Sequence, residues 1–340
     1  AQIGAWEGTV SATERLGERV FRRLSREDVE RLTGSPVQSA GVYEEAAATV
    51  QPALLARGLR RVALERGVRI FEHSPMRALE RSRPPKVVTA YGSVTAEIVI
   101  LALNAWAAQV RELRRSLVVV ASDMVATEPI PERLEELGLT DGLCVSDARL
   151  LVNYYRRTED GRLAWGKGGG GLAFAGRVGS RFDGRSPRAA EVTHDLRRIY
   201  PQLRDARITH SWTGPIDRTP AGLPFVGRLA GRDDLYYAYG FSGNGVGPSH
   251  LVARIVASKV LRRDDEWAAT RLPERPEGLF PRSRSGAFPP EPLRYVVGRV
   301  VRAAVARKEA AEDAGRPPGR FVERVASFAP AGLTPTSSRR

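Results

Sequence analysis

Residues 212–261 read WTGPIDRTPAGLPFVGRLAGRDDLYYAYGFSGNGVGPSHLVARIVASKVL, and the middle of this stretch decides the fold. Leu235, Tyr236, Tyr237, Ala238 and Tyr239 form an aromatic and apolar run with the length and composition of a buried strand. It leads into Gly240-Phe241-Ser242-Gly243-Asn244-Gly245-Val246-Gly247. Pro248 and Ser249 then open a helix whose apolar positions Leu251, Val252, Ile255, Val256 and Val260 recur at helical spacing. The glycines let backbone approach a ligand with no Cβ in the way. Free N–H groups at the helix start, together with the positive end of its dipole, suit a polar or partly anionic ring edge. Taken alone, the loop reads equally well as a Gly-rich turn that binds nothing.

Its neighbours favour the first reading. Trp212-Thr213-Gly214-Pro215-Ile216-Asp217-Arg218-Thr219-Pro220 and Gly222-Leu223-Pro224-Phe225-Val226-Gly227 lie just upstream. With the loop, these blocks resemble the C-terminal signature of FAD-dependent oxidoreductases related to glycine oxidase, sarcosine oxidase and gamma-glutamylputrescine oxidase. The resemblance implies that the first block, with Gly214 and Asp217, lies near a flavin. It further implies that Gly240, Ser242, Gly243, Asn244, Gly245 and Val246 present backbone donors to the pyrimidine side of the isoalloxazine. Some relatives attach FAD through a cysteine in this region, whereas the one cysteine here is Cys144, so the expectation is noncovalent FAD. The family also grips the pyrophosphate with a strand followed by G-x-G-x-x-G. This chain enters directly on a helical pattern, which makes the expectation a fragment, or one part of a split protein, with that βαβ unit upstream of Ala1.

One formal match to the dinucleotide pattern is a decoy. Gly166-Lys167-Gly168-Gly169-Gly170-Gly171 satisfies G-x-G-x-x-G after a strand-like run at 162–165. Residues 172–185 then carry more glycine and no helical apolar period, so no helix N-terminus follows to hold a pyrophosphate. The run reads instead as a flexible loop covering a site.

Composition sets the outer bounds. The 340 residues, 42% hydrophobic and 27% charged, describe an ordinary globular chain long enough for two domains. A single cysteine leaves no disulfide framework and no cysteine-based zinc site, which fits a reducing cytoplasm. His73, His194, His210 and His250 are scattered without paired ligand spacing, so no metal is expected. No apolar run reaches the ~18 residues of a membrane span, and no leader pattern is visible. Of the net charge of +14, residues 281–340 supply half through 12 basic and 5 acidic side chains. Without zinc-finger spacing, a basic zipper or an aromatic RNA-binding motif, this excess reads as a solvated surface rather than a specific nucleic-acid site.

Elsewhere the chain alternates helices and short strands. A helical pattern covers 10–24, and Ser25 caps a short helix to Leu32. Residues 53–66 form an amphipathic helix with Leu55, Leu59, Val62 and Ala63 on one face and Pro52 in its first turn. Strands are expected at 68–72, 86–91 and 94–103, the last a buried parallel strand through the continuous apolar run 98–103. Asn104 ends it, where the resemblance implies contact with the cofactor and the residue type equally suits a helix cap. Short strands at 117–127, 143–145, 150–157 and 163–166 suggest an antiparallel sheet. Alternation puts Tyr154 and Arg156 on one face and Tyr155 on the other. A tyrosine beside a guanidinium suits a substrate carboxylate, although a surface arginine beside a packed tyrosine is the commoner occurrence. A helix at 192–200, a Pro-rich segment at 272–292 and a basic helix at 293–313 complete the chain.

These readings predict an α/β (α+β) chain: a partial FAD/NAD(P)-binding domain of the glutathione-reductase-like type plus an antiparallel-sheet substrate domain. The expected divisions are a helical segment of the substrate domain at 1–40, an FAD-domain portion at 41–110, the substrate sheet at 111–210, the signature at 211–265, and the linker and basic helix at 266–340. The resemblance implies oxidation of a C–N bond of an amine or amino acid by hydride transfer to FAD. Lys167 is the candidate positive group that lowers an ammonium pKa or promotes oxygen reactivity. The alternative is a non-catalytic interaction module that cannot hold FAD. Expected partners are the small-molecule substrate and either the missing N-terminal half or a second copy.

Overall fold

A computed structural model describes residues 2–140, 142–270, 272–273 and 287–329. Most of the expected Pro-rich segment, 274–286, therefore lies outside the described residues, as does the tail 330–340. The first half runs α1 (Glu7–Arg15), β1 (Phe21–Leu24), α2 (Arg26–Thr33), β2 (Gly41–Glu44), α3 (Pro52–Glu65), β3 (Ala78–Glu80), β4 (Lys86–Val88), β5 (Ser93–Thr95) and β6 (Val99–Leu101). Next come β7 (Val118–Thr127), α4 (Pro131–Glu136), β8 (Cys144–Ser146), β9 (Asn153–Arg157), β10 (Leu163–Lys167), α5 (Ala189–Ile199) and β11 (Ile208–Arg218). The remainder is β12 (Phe225–Arg228), β13 (Leu235–Tyr239), α6 (Val246–Val260), α7 (Glu266–Ala269), α8 (Leu293–Asp313) and α9 (Arg320–Ala326).

The chain divides into two compact units, each drawn from separate stretches. The first comprises Ala1–Thr49, Val119–Ile216 and Pro289–Arg340. Its centre is a five-stranded sheet ordered β11-β7-β10-β9-β8, in which the recorded pairs of β10 with β7 and β9, and of β8 with β9, are antiparallel. Helix α5 closes one face because Val192, Leu196 and Ile199 fall on one side of it. They meet Val125, Tyr155, Leu163 and Trp165 of the sheet and Leu134 of α4 in one buried cluster. Tyr155 stacks on Trp165 with ring centroids 4.3 Å apart. Each large apolar side chain buried there contributes about 1.5–3 kcal/mol.

The second unit comprises Val50–Val118 and Asp217–Phe288. It holds a three-stranded sheet β12-β13-β6 and a small antiparallel sheet β3-β4-β5. Val252, Ile255 and Val256 of α6 cover Val226 and Ala238 of the larger sheet. Strand β13 pairs antiparallel with β12 and parallel with β6.

Several expectations change. The pattern at 10–24 is a helix only to Arg15; Gly17 adopts φ +85°, and Phe21–Leu24 turns into a strand paired with β2. Ser25 caps α2 as expected, in a reciprocal pair with Asp28. No strand forms at 68–72, where Ile70 and Phe71 are left exposed. The single strand expected at 94–103 is two, β5 and β6, in different sheets. Strand β6 is parallel as expected but not buried on both faces: Leu101 is 3% exposed and Ile100 45%. Helix α3 is built as predicted, with Gln51 capping Leu54 and Pro52 in the first turn, yet it has no buried residue and its Leu55, Leu59 and Val62 remain uncovered among the described residues.

Candidate cofactor and substrate site

The loop after β13 is shaped by a buried carboxylate. Asp217, 2% exposed, accepts the N–H of Gly240. Burial pushes its pKa up, against the pull of the Gly240, Ser242 and Phe241 backbone N–H groups. Gly240 has φ +89°, and a Cβ there would lie 2.3 Å from the Thr219 methyl, so only glycine fits. Ser242, also at positive φ, accepts the Thr219 N–H through Oγ at 3.1 Å. The signature segment 217–219 and the loop start 240–242 are thereby one hydrogen-bonded piece.

Beyond Ser242 all but one of the donors up to Gly247 are free among the described residues. The Asn244 N–H closes a turn on Phe241 O at 2.9 Å. The N–H groups of Gly243, Gly245, Val246 and Gly247 make no hydrogen bond within the described residues. Gly243, Val246 and Gly247 are exposed, and α6 begins without a side-chain cap. Nothing lies within 4 Å of the Cβ position at Gly247. A row of unpaired amides at the positive end of a 15-residue helix fits a ring edge rich in acceptors. The expected donor set thus divides: the Gly240 N–H is spent on Asp217 and the Asn244 N–H on Phe241, while Gly243, Gly245 and Val246 remain available, joined by Gly247.

Asn104 lies at the same sheet edge. Leu101 of β6 is the register partner of Tyr237 of β13, so Asn104 and Gly240 follow parallel strands by equal numbers of residues. Asn104 is exposed, has φ +45° and opens a 3-10 helix, Asn104–Gln109, that packs against β13. Ligand sites of open α/β sheets lie beyond such carboxyl ends.

In the first unit the predicted residues do not gather in one place. Tyr154 pairs with Gly166, Tyr155 with Trp165 and Asn153 with Lys167. Paired residues share a face, so Tyr154 and Arg156 point to one side while Lys167 lies with Trp165 on the side that α5 covers. Tyr154 lies across Gly166, whose Cβ would meet the ring at 2.2 Å, and its hydroxyl shares a 2.7 Å hydrogen bond with Ser122. Arg156 is half-buried in β9. Gly214 sits in β11 with open space at its Cβ position. Lys167 is 6% exposed and ion-paired with Asp195 of α5. Replacing it by methionine is expected to cost about 1–3 kcal/mol in urea unfolding, the penalty of a buried polar group left unsatisfied and less than the ~3–5 kcal/mol of a fully stranded buried charge. The cost stays in that range because Arg198 remains 3.6 Å from Asp195. Flavin content should not change; a loss of flavin at unaltered stability would restore Lys167 to the site.

The glycine run is not the flexible cover expected. Gly170 donates to Ala121 O at 2.9 Å, Gly171 O accepts the Ala121 N–H at 2.8 Å, and Gly168 donates to Val152 O at 2.8 Å, so the run extends the sheet past β10. Its glycines answer crowding: a Cβ at Gly169 would meet Leu151 at 2.1 Å, and one at Gly170 would meet Ala121 O at 2.6 Å. Sequence reasoning also missed Ser122, which holds Tyr154, and Asp123, wholly buried with Ser186 at 2.8 Å and Arg188 at 3.1 Å. Their partners lie far along the chain, where no local spacing signals them. Cys144 is exposed on β8, in the first unit. No described helix is long and apolar enough to cross a membrane.

Comparison with known proteins accords with this architecture. The family described as "DAO: FAD dependent oxidoreductase" matches residues 1–259. A probable oxidoreductase OrdL of Haemophilus influenzae is 30% identical over 238 residues, 68% of this chain and 52% of that protein. The gamma-glutamylputrescine oxidoreductase of Escherichia coli is 30% identical over 294 residues, 85% of this chain and 65% of that protein. The chain thus spans between half and two thirds of the length of these relatives. Glycine oxidase of Geobacillus kaustophilus shares the fold with a TM-score of 0.63 at 22% identity, over 76% of this chain and 68% of that one. With the family match covering most of its length, the chain belongs to the DAO family of FAD-dependent oxidoreductases.

Proposed function

We propose that the chain forms the isoalloxazine side of an FAD site and the substrate sheet of an enzyme that oxidises a C–N bond of an amine or amino acid, the pyrophosphate grip coming from a separate βαβ unit. The observation that carries this is the set of unpaired amides at Gly243, Gly245, Val246 and Gly247, backed by the Asp217 tie that fixes their approach. FAD, when bound, supplies the hydride acceptor. Asn104 and the loop would hold it noncovalently, since residues 212–261 contain no cysteine. On the face of the other sheet away from α5, Tyr154 and Arg156 would orient a substrate carboxylate. A guanidinium there also disfavours the ammonium form of the amine, which must lose its proton before oxidation. We assign Lys167 no part, since it is buried and paired with Asp195 of α5.

The test is anaerobic addition of amines and amino acids to the FAD-loaded protein. Bleaching of the visible flavin band by one of them is expected; a loaded flavin that none of them reduces would contradict the proposal. A second reading, an interaction module without FAD, draws on the open edge of β6 and the uncovered face of α3. A protein that stays colourless when supplied with both FAD and a βαβ partner would favour it.

A further inference from the structure

Helices α8 and α9 lie beyond the stretch that the family match covers, yet they are bolted to the first unit's sheet at one end of the β9–β10 hairpin. Val301, Ala304 and Val305 of α8, with Ala326 of α9, enclose Leu151. Charged groups then fix the docking to particular backbone atoms. Glu309, 7% exposed, accepts the N–H groups of Leu150 at 2.9 Å and Leu151 at 3.1 Å. Arg149 is ion-paired with Asp313. Arg302 donates through Nε to the Gly169 carbonyl at 2.5 Å. A Cβ on Gly298 would lie 2.5 Å from the Leu172 side chain, so the helix sits directly on the segment that follows β10. Apolar packing alone tolerates sliding by a turn, whereas buried charges on defined partners do not.

The gripped segments lead to the substrate face. Gly170 and Gly171 are laddered to Ala121 of β7. The next residue, Ser122, holds the Tyr154 hydroxyl at 2.7 Å. We infer that α8 is a brace, with Arg302 and Glu309 as positioning residues that set Tyr154 through the Gly169–Gly171 ladder and Ser122. Its meaning for substrate rests on the oxidoreductase reading proposed above, but the brace itself does not.

The experiment compares Arg302→Met and Arg302→Lys in the whole protein with Arg307→Met, a change at an exposed arginine of the same helix. Backbone hydrogen exchange over 168–173 should quicken about tenfold or more in Arg302→Met, the local-opening equivalent of one lost charge-assisted hydrogen bond. The Tyr154 ring resonance in a ¹³C-tyrosine-labelled sample should shift with it. Arg302→Lys should recover part of both, and Arg307→Met should change neither. With an amine that bleaches the flavin, KM should rise in Arg302→Met while kcat and flavin content hold. Exchange that stays slow, or quickens equally in the exposed control, overturns the brace. A fixed Tyr154 resonance or an unchanged KM despite faster exchange overturns the link to the substrate face. Absence of turnover in the parent protein counts against the oxidoreductase reading alone, since exchange and the ring resonance still decide the brace.

Discussion

Gly240→Val is expected to destabilise the protein by about 2–6 kcal/mol, combining a strained backbone region for a β-branched residue with overpacking. The position has φ +89°, and the new Cβ would start 2.3 Å from the Thr219 methyl. Relief requires the loop to leave Asp217, which strands a buried carboxylate whose pKa burial already raises. Urea unfolding followed by tryptophan fluorescence reads the cost. Gly247→Ala, with nothing within 4 Å of its Cβ position, serves as the control and should lie near the parent. A Gly240→Val protein with the parent's midpoint would show that the loop does not take this path.

The second large effect concerns FAD itself. Residues 1–340 alone are expected to bind it poorly. The one G-x-G-x-x-G of the chain, at 166–171, belongs to β10 and its ladder extension, and a 3-10 turn at Phe174–Gly176 follows it rather than an α-helix. With no strand–loop–helix grip on the pyrophosphate among the described residues, several charge-assisted hydrogen bonds of ~1.5–3 kcal/mol are lost. Two such bonds weaken binding by roughly 10² to 10⁴-fold. Among the described residues strand β6 has an unpaired edge, with Ile100 45% exposed, and α3 leaves Leu59 64% exposed, so the isolated chain should also self-associate. Equilibrium dialysis and light scattering together test this. Micromolar FAD retention by a monodisperse monomer would mean that the cofactor is held elsewhere.

How much was legible in the sequence follows the range of the interactions involved. Strand β13 falls on the predicted residues 235–239 and α8 on 293–313, because local period and flanking punctuation decide such elements. The strand expected at 68–72 failed because strand formation needs a partner, and apolar composition alone does not supply one. The helix pattern at 10–24 overran Gly17, a stop of the kind that correctly ended α3 at Gly67. At the site, alternation placed Tyr154 and Arg156 on one face. It could as readily have set Lys167 on the opposite face, but only with the β9–β10 register in hand. The glycine run suggested mobility, whereas its glycines answer contacts from Tyr154, Leu151 and Ala121 that no local pattern reveals. Asp217 was chosen for its place in a signature; its hold on Gly240 joins residues 23 apart and became visible only in the structure.

The central claim is that the amides after Ser242 meet the flavin. Titration with FAD of the ¹⁵N-labelled chain supplied with its βαβ partner, followed by amide NMR, tests it residue by residue. The resonances of Gly243, Gly245, Val246 and Gly247 should shift most, with that of Gly240 held nearly still by Asp217. Shifts concentrated elsewhere, with those four amides unmoved at saturating FAD, would contradict the assignment.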